Sequence, residues 1–262
     1  QNSLKTQYLN ASNISARISL HQMYSTGRPG WFQWIYDNCS ICRNMNILEL
    51  GCGSGTFWTV NQDKLPPDIN VTITDISEGM IRDAKRNITN SGLAQYNFSY
   101  NTTDCCNIHY PDNSFDIVIA NHVLFYCNPV TKAVNEIHRV LKSGGRLICS
   151  TYSSRHMQEI NQLVSDFDSR IVLSADRLYT IFGLDNGCQL LNDDFKQIEK
   201  KIYKDSLIVD KAEPLIEYIM SCHGNQNQYL LDRYSSFKNF VSDRLSRPMH
   251  ITKEAGIFVC TK

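Results

Sequence analysis

The sequence predicts an α/β fold with a doubly wound, mostly parallel sheet, and three observations carry that prediction. Short β-branched apolar runs alternate with stretches of helical periodicity. A turn with glycines at alternate positions, Gly51-Cys52-Gly53-Ser54-Gly55, directly follows the first run. Acidic residues stand where the next two runs end, at Asp75 and Asp104.

Each element has its own signal. The runs at 46–50, 70–74, 116–120 and 146–150 are rich in Ile, Val and Leu, as parallel strands covered on both faces require. A weaker strand spans 95–100. The helix predicted over 77–90 has Ser77 as N-cap and places Met80, Ile81, Ala84 and Ile88 at helical spacing. The helix predicted over 130–142 sets Val130, Val134, Ile137 and Leu141 on one face and is expected to stop at Gly144-Gly145. Beyond Ser150 come helices within 151–195, a strand at 196–209, helices over 213–222 and 226–246, and a final strand at 256–261.

Composition narrows the partners. With 262 residues, 42% apolar and 20% charged, the chain can bury a full core. Lys plus Arg equal Asp plus Glu at 26 each, so no global positive field draws in a polyanion, and neither nucleic acid nor a membrane surface is expected as partner. The opening QNSLKTQYLNAS has no apolar run of signal length, and no segment approaches the roughly 18 apolar residues of a membrane span. A cytoplasmic location is expected. The 10 cysteines are scattered and read as free thiols. Cys39-x-x-Cys42 is half a zinc site with no second half, since Cys105-Cys106 has the wrong spacing, so no metal is expected. Asn-x-Ser/Thr triplets at Asn10 and Asn101 are those chance supplies in an Asn-rich chain.

In an open α/β sheet, ligands sit beyond the carboxyl ends of the strands, near the point where strand order reverses. The glycine turn brings backbone amides and a helix N-terminus to that place without side chains in the way. Asp75 lies 20 residues beyond Gly55, where a carboxylate can accept both hydroxyls of a ribose. Asp104 can take the exocyclic amine of an adenine. A nucleoside-bearing cofactor is therefore expected. A nicotinamide-dinucleotide site wants Gly-x-Gly-x-x-Gly around its pyrophosphate, whereas here the pattern is Gly-x-Gly-x-Gly, two residues after the acid Glu49. A carboxylate there suits a cationic ligand better.

At these residues the chain resembles the class I S-adenosylmethionine-dependent methyltransferases. The resemblance rests on an ordered set: Glu49-Leu-Gly-Cys-Gly-Ser-Gly55, Asp75 in TDIS, Asp104 in TTDCCNI, FDIVIANHVLFY from Phe115 and VLKSGGRLICST from Val140. It implies a Rossmann-like seven-stranded sheet and S-adenosyl-L-methionine as cofactor, with S-adenosyl-L-homocysteine as product. By resemblance, Gly51, Gly53 and Gly55 would line its methionine portion, Cys52 would be a small spacer and Glu49 would help hold the ammonium. Asp75 would bind the ribose, Ile76 and Met80 would flank the adenine, and Asp104 and the Cys105 amide would take its edge. Asn121 would border the sulfonium. His122, at the end of the fourth strand, is the candidate base, because a histidine can deprotonate an acceptor near neutral pH. Tyr126 is a further catalytic candidate, at a position where many relatives carry histidine.

Residues 1–44 are expected to form an N-terminal arm and lid, 45–152 the cofactor core, 153–195 an inserted helical cap, and 196–262 the elements completing the sheet. In similar methyltransferases a leading helix folds over the cofactor, so Tyr24 would reach the methionine carboxylate. Acceptor contacts are expected from His21 and Trp31 in the arm and from Tyr152, His156, Tyr179 and Phe182 near the cap. The expected activity is methyl transfer to an oxygen, nitrogen or sulfur atom of a small molecule by a monomer or homodimer. Methylation of RNA or protein, and non-catalytic cofactor binding within an assembly, are the alternatives.

Overall fold

A computed structural model of the chain describes residues 19–174 and 176–262, so the start of the expected arm, with the Asn10 triplet, lies outside the described residues. Two compact units are formed. One comprises the described residues up to Gly27 with 155–177 and 204–254; the other comprises 28–154, 178–203 and 255–262.

In the second unit, helix α1 (Trp31–Cys39) leads into β1 (Asn46–Leu50), the short α2 (Thr56–Thr59), β2 (Asn70–Asp75) and α3 (Glu78–Asn90). Then follow β3 (Asn97–Thr102), β4 (Phe115–Asn121), α4 (Val130–Val140) and β5 (Leu141–Tyr152). Helices α5 (Gln158–Phe167), α6 (Leu178–Ile181) and α7 (Gly187–Leu191) precede β6 (Gln197–Val209), and α8 (Ala212–Met220), α9 (Gln226–Leu230) and α10 (Tyr234–Arg244) precede β7 (Met249–Thr261). The seven strands form one sheet in the order β3-β2-β1-β4-β5-β7-β6. Pairing is parallel from β3 through β5, with Leu48 opposite both Thr72 and Val118, and antiparallel between β5 and β7. The strand order turns at β1 and β4, where the fold leaves a crevice at the carboxyl ends.

Period-2 alternation feeds both faces of the sheet. Leu48, Leu50, Val118, Ala120, Leu147 and Cys149 point to the side that buries Ala133, Val134 and Ile137 of α4. Ile47, Val71, Ile73, Ile117, Ile119 and Ile148 point to the other, against Ile35 of α1 and Ala84 and Ile88 of α3. The expected cap at Ser77 is present, its hydroxyl accepting from the Met80 amide.

Two expectations are corrected. The helix over 130–142 stops at Val140, and Leu141 already belongs to β5. Gly144-Gly145 does not end the helix. It lies inside β5, opposite a register shift between Phe115 and Ile117, with Gly144 at φ +75° and a Cβ on Gly145 placed 2.8 Å from the Lys142 carbonyl oxygen. The pair makes a β-bulge, in which Gly144 takes the left-handed φ that favours glycine and Gly145 leaves no room for a Cβ. The stretch expected as one helix over 226–246 is broken by a 3₁₀ turn at Leu231–Arg233.

The first unit has its own core, in which Leu20, Leu163, Leu207, Leu215, Ile219, Phe237 and Ile251 are fully or nearly fully buried. An ion pair between Lys253 and the fully buried Asp205 carboxylate ties the chain entry to β6, because the same carboxylate accepts from Ser25 Oγ at 2.7 and 2.6 Å and from the Gly27 amide at 2.7 Å. No helix among the described residues is long and apolar enough to cross a membrane.

Candidate functional site

The glycine turn is built by conformation and close approach. After Leu50 the backbone enters the left-handed region at Gly51 (φ +68°) and returns to it at Gly53 and Gly55 (φ +53° and +78°). A Cβ on Gly51 would meet Val123 Cγ2 at 2.1 Å, so β1 and the chain after β4 touch through that missing side chain. A Cβ on Gly53 would meet nothing within 4 Å. Gly55 packs instead against α3, where Ile88 and Ala84 would stand 3.1 and 3.3 Å from a Cβ.

Asp75 braces this turn. Its Oδ2 accepts from the Gly53 amide at 3.0 Å and its Oδ1 from the Ser77 amide at 2.9 Å. Each carboxylate oxygen keeps a lone pair for a further donor. Asp104 is fixed in the same manner, with Oδ1 accepting from the Cys106 amide at 2.8 Å.

A cavity of about 690 Å³ lies at the ends of β1, β2, β3 and β4. Of the residues expected from sequence it brings together Gly51, Gly53, Asp75, Ile76, Met80, Asp104, Cys105, Asn121, His122 and Tyr126. Ile76 is 77% exposed and Tyr126 72% exposed, so the rim is open to solvent. Both side-chain atoms of Asn121 are buried and unpartnered on this wall. Leaving two such atoms unmatched costs about 1–3 kcal/mol each unless something fills their hydrogen bonds. The empty Cβ position of Gly53, the spare lone pairs of Asp75 and the amide of Asn121 thus fit a ligand with a polar head, a ribose-like diol and a flat base.

His122 stands at φ +53° with its amide donating to Ser150 Oγ at 3.0 Å. Its ring is stacked on Trp31 at 5.5 Å and 22°, with Phe125 and Tyr152 at 6.1 and 6.2 Å. Burial lowers its pKa to about 4, so the imidazole is neutral at pH 7.

Several expected residues do not line the cavity. Glu49 is buried beneath the turn and accepts from Trp58 Nε1 at 2.7 Å; burial pushes its pKa up to about 7, against the pull of that hydrogen bond. Cys52 is buried beside it, and Gly55 serves the packing of α3. Trp31, Tyr152 and Tyr179 form an aromatic layer behind His122, with Tyr152 and Tyr179 at 6.3 Å. Phe182 is corrected from acceptor contact to core, since it is wholly buried against Phe258 at 5.8 Å. His21, Tyr24 and His156 belong to the first unit, where His21 meets Tyr218 edge-on at 6.0 Å and burial, with the nearby Asp210 charge, pushes the Tyr24 phenol up. The cavity adds Thr103, Cys106, Val123, Cys127 and Asn128, in the chain directly after β3 and β4, and Lys132 in the first turn of α4. Their places just beyond strand ends were the signal that could have found them.

Residues 48–149 match the family model described as a methyltransferase domain. That segment carries the glycine turn and the parallel strands β1 to β4, and it is similar to such a domain. The chain is 32% identical over 132 residues to a demethylmenaquinone methyltransferase of Symbiobacterium thermophilum, covering 50% of this chain and 52% of that protein. It is 22% identical over 202 residues to malonyl-[acyl-carrier protein] O-methyltransferase 1 of Ilyobacter polytropus, covering 77% and 69%. The chain thus spans about half the length of the first of these relatives. In fold it is similar to the YcgJ protein of Bacillus subtilis, with TM-score 0.56 at 16% identity over 88% of this chain and 97% of that one.

Proposed function

We propose that the chain is a methyltransferase that carries the methyl group of S-adenosyl-L-methionine to an oxygen, nitrogen or sulfur atom of a small molecule by in-line displacement. The observation that supports it most is the convergence of the glycine turn, Asp75, Asp104 and the unpartnered Asn121 amide on one cavity at adjacent strand ends. Relatives named for action on demethylmenaquinone and on malonyl-[acyl-carrier protein] favour an acceptor outside nucleic acid.

When bound, the cofactor supplies a methyl group already activated on a sulfonium. Gly51 and Gly53 accept its methionine portion against bare backbone, Asp75 takes the ribose hydroxyls, Ile76 and Met80 flank the adenine, and Asp104 and the Cys105 amide receive its edge. Asn121 turns its amide toward the reacting end. The chain's remaining task is alignment and exclusion of water. His122, neutral and held by the Trp31 stack, accepts a hydrogen bond from an acceptor hydroxyl or amine at its unprotonated nitrogen and orients the attacking lone pair. Tyr126, on the open rim, contacts the acceptor as it enters.

Calorimetric titration tests the reading. Binding of S-adenosylmethionine and S-adenosylhomocysteine, weakened in Asp75→Ala, followed by turnover with small acceptors without added protein, supports it. Heat with a nicotinamide dinucleotide and none with S-adenosylmethionine overturns it.

A further inference from the structure

The end of β4 carries a backbone step that the strand itself does not need. Of the non-glycine residues with a left-handed φ, among those described, only His122, at +53°, lines the cavity. Period-2 alternation would send residue 122 to the side of Val118 and Ala120, beneath α4. The left-handed step turns the ring instead onto Trp31, whose indole packs with the opposite face of the sheet. A residue with a Cβ keeps that conformation only where its surroundings hold it, and such residues gather at functional sites.

Two groups hold this one. The Trp31 stack fixes the ring, and Ser150 fixes the backbone. Ser150 is the partner of Asn121 in the parallel register of β4 and β5, and it is wholly buried. The His122 amide is shared between two acceptors of that residue, the carbonyl at 3.3 Å and the hydroxyl oxygen at 3.0 Å. Any residue at this register could offer the first bond. The second and shorter one needs a hydroxyl, and it is made where the ladder ends and the chain turns away. The neighbouring Thr151, also wholly buried, spends its hydroxyl on the Phe182 carbonyl at 2.7 Å.

We propose that Ser150 is a positioning residue, whose hydroxyl holds the His122 amide through the left-handed step and so delivers the imidazole to the cavity. The consequence for catalysis rests on the proposed role of His122; the backbone hold does not. Without the hydroxyl the amide keeps only the longer bond to the carbonyl, and residue 122 can relax toward the extended backbone that continues β4. The ring then leaves Trp31, while the Asp75 brace on Gly53 and the Asp104 turn stay as they are. The loss should fall on methyl transfer and spare cofactor affinity.

The test compares the whole chain with Ser150→Ala, Ser150→Thr and Thr151→Ala. NMR reads the His122 amide and imidazole, calorimetry reads S-adenosylmethionine, and methyl transfer is followed with phenol and aniline as acceptor probes. Ser150→Ala should shift the His122 amide resonance, remove the ring contact with Trp31 and raise the imidazole pKa from about 4 toward 6.5. Turnover should fall about tenfold or more, with S-adenosylmethionine affinity within about threefold of the wild type. Ser150→Thr, which keeps the hydroxyl, should keep the wild-type His122 signals. Thr151→Ala, which loses a buried hydroxyl one residue on, should keep them as well, even in a less stable chain. Added to His122→Ala, Ser150→Ala should cost no further turnover, because both changes act through one ring. Unmoved His122 signals in Ser150→Ala, the same changes in Thr151→Ala, or a further loss beyond His122→Ala would overturn the proposal. His122→Ala that transfers methyl as well as the wild type would sink the reading of His122, while the NMR comparison still decides the hold by Ser150.

Discussion

The indole of Trp31 lies nearly parallel on the imidazole of His122, centroids 5.5 Å apart and planes 22° from each other. One ring comes from the helix before the sheet and the other from the end of its fourth strand. The stack fixes a ring whose backbone already stands at an unfavourable φ. Stacked aromatic pairs contribute about 0.5–1.5 kcal/mol beyond area burial. Trp31→Ala should therefore lower methyl transfer about tenfold and change S-adenosylmethionine affinity less than about threefold. As water reaches the imidazole, the His122 pKa should climb from about 4 back toward 6.5 in a proton NMR titration. An unmoved titration would show that Trp31 does not shield the ring.

Asp75 holds the Gly53 and Ser77 amides and is proposed to hold the ribose as well. Hydrogen bonds to a charged group contribute about 1.5–3 kcal/mol each. Asp75→Ala should weaken cofactor binding at least tenfold to a hundredfold by calorimetry. Asp75→Asn, which keeps the shape and loses the charge, should lie between. Equal losses in the two variants would mean that size, not charge, is what the turn requires.

Two glycines of the same turn should fail differently. Gly51→Ala drives a methyl group into Val123 Cγ2 and should cost several kcal/mol of folding stability, of the order seen for overpacked cores. Gly53→Ala has open space and should cost only about 1–2 kcal/mol, the ordinary strain of a left-handed residue. Its Cβ enters the cavity, so cofactor affinity should fall even though the protein folds. Urea unfolding beside calorimetry separates the two.

Stability should depend on pH through buried groups of opposite sign. Glu49 has its pKa raised by burial from 4.5 to about 7, so its contribution is full below about pH 4.5 and is lost as pH rises through 7. His122 and His21 have theirs lowered from 6.5 to about 4, so their contributions are present above 6.5 and are lost as pH falls through 4. The slopes oppose each other between pH 4.5 and 6.5. Above 6.5 only Glu49 of these groups still titrates, and stability of the ligand-free protein should fall by about 1 kcal/mol toward pH 8. Glu49→Gln should abolish that fall and leave a rise from pH 4 to 6.5, measured by chemical denaturation.

The parts of this protein that were legible in its sequence are those fixed by short-range chemistry. Residues 46–50 form β1 as expected because a short Ile- and Leu-rich run bounded by glycine has few other uses. Ser77 caps α3 because its hydroxyl reaches an amide three residues on. The missed features depend on distant partners. Gly144-Gly145 reads as a helix stop until the register of β4 is known, and then it is a bulge. Glu49 looks like a ligand for an ammonium until Trp58 closes over it. Phe182 is indistinguishable from a pocket residue until Phe258, 76 residues later in the chain, is packed against it. His21 and Tyr24 belong with a unit whose core is drawn from three separated stretches, which no local pattern marks.

The brace between Asp75 and the Gly53 amide is made entirely by groups of the chain itself. The turn therefore has its receiving shape before an encounter, and association there asks for little ordering of the backbone. Entry should then be governed by how fast the small molecule finds the opening, and residence time by the few contacts around Asp75, Asp104 and Asn121. Across variants of this wall, dissociation rates should spread widely while association rates stay close together.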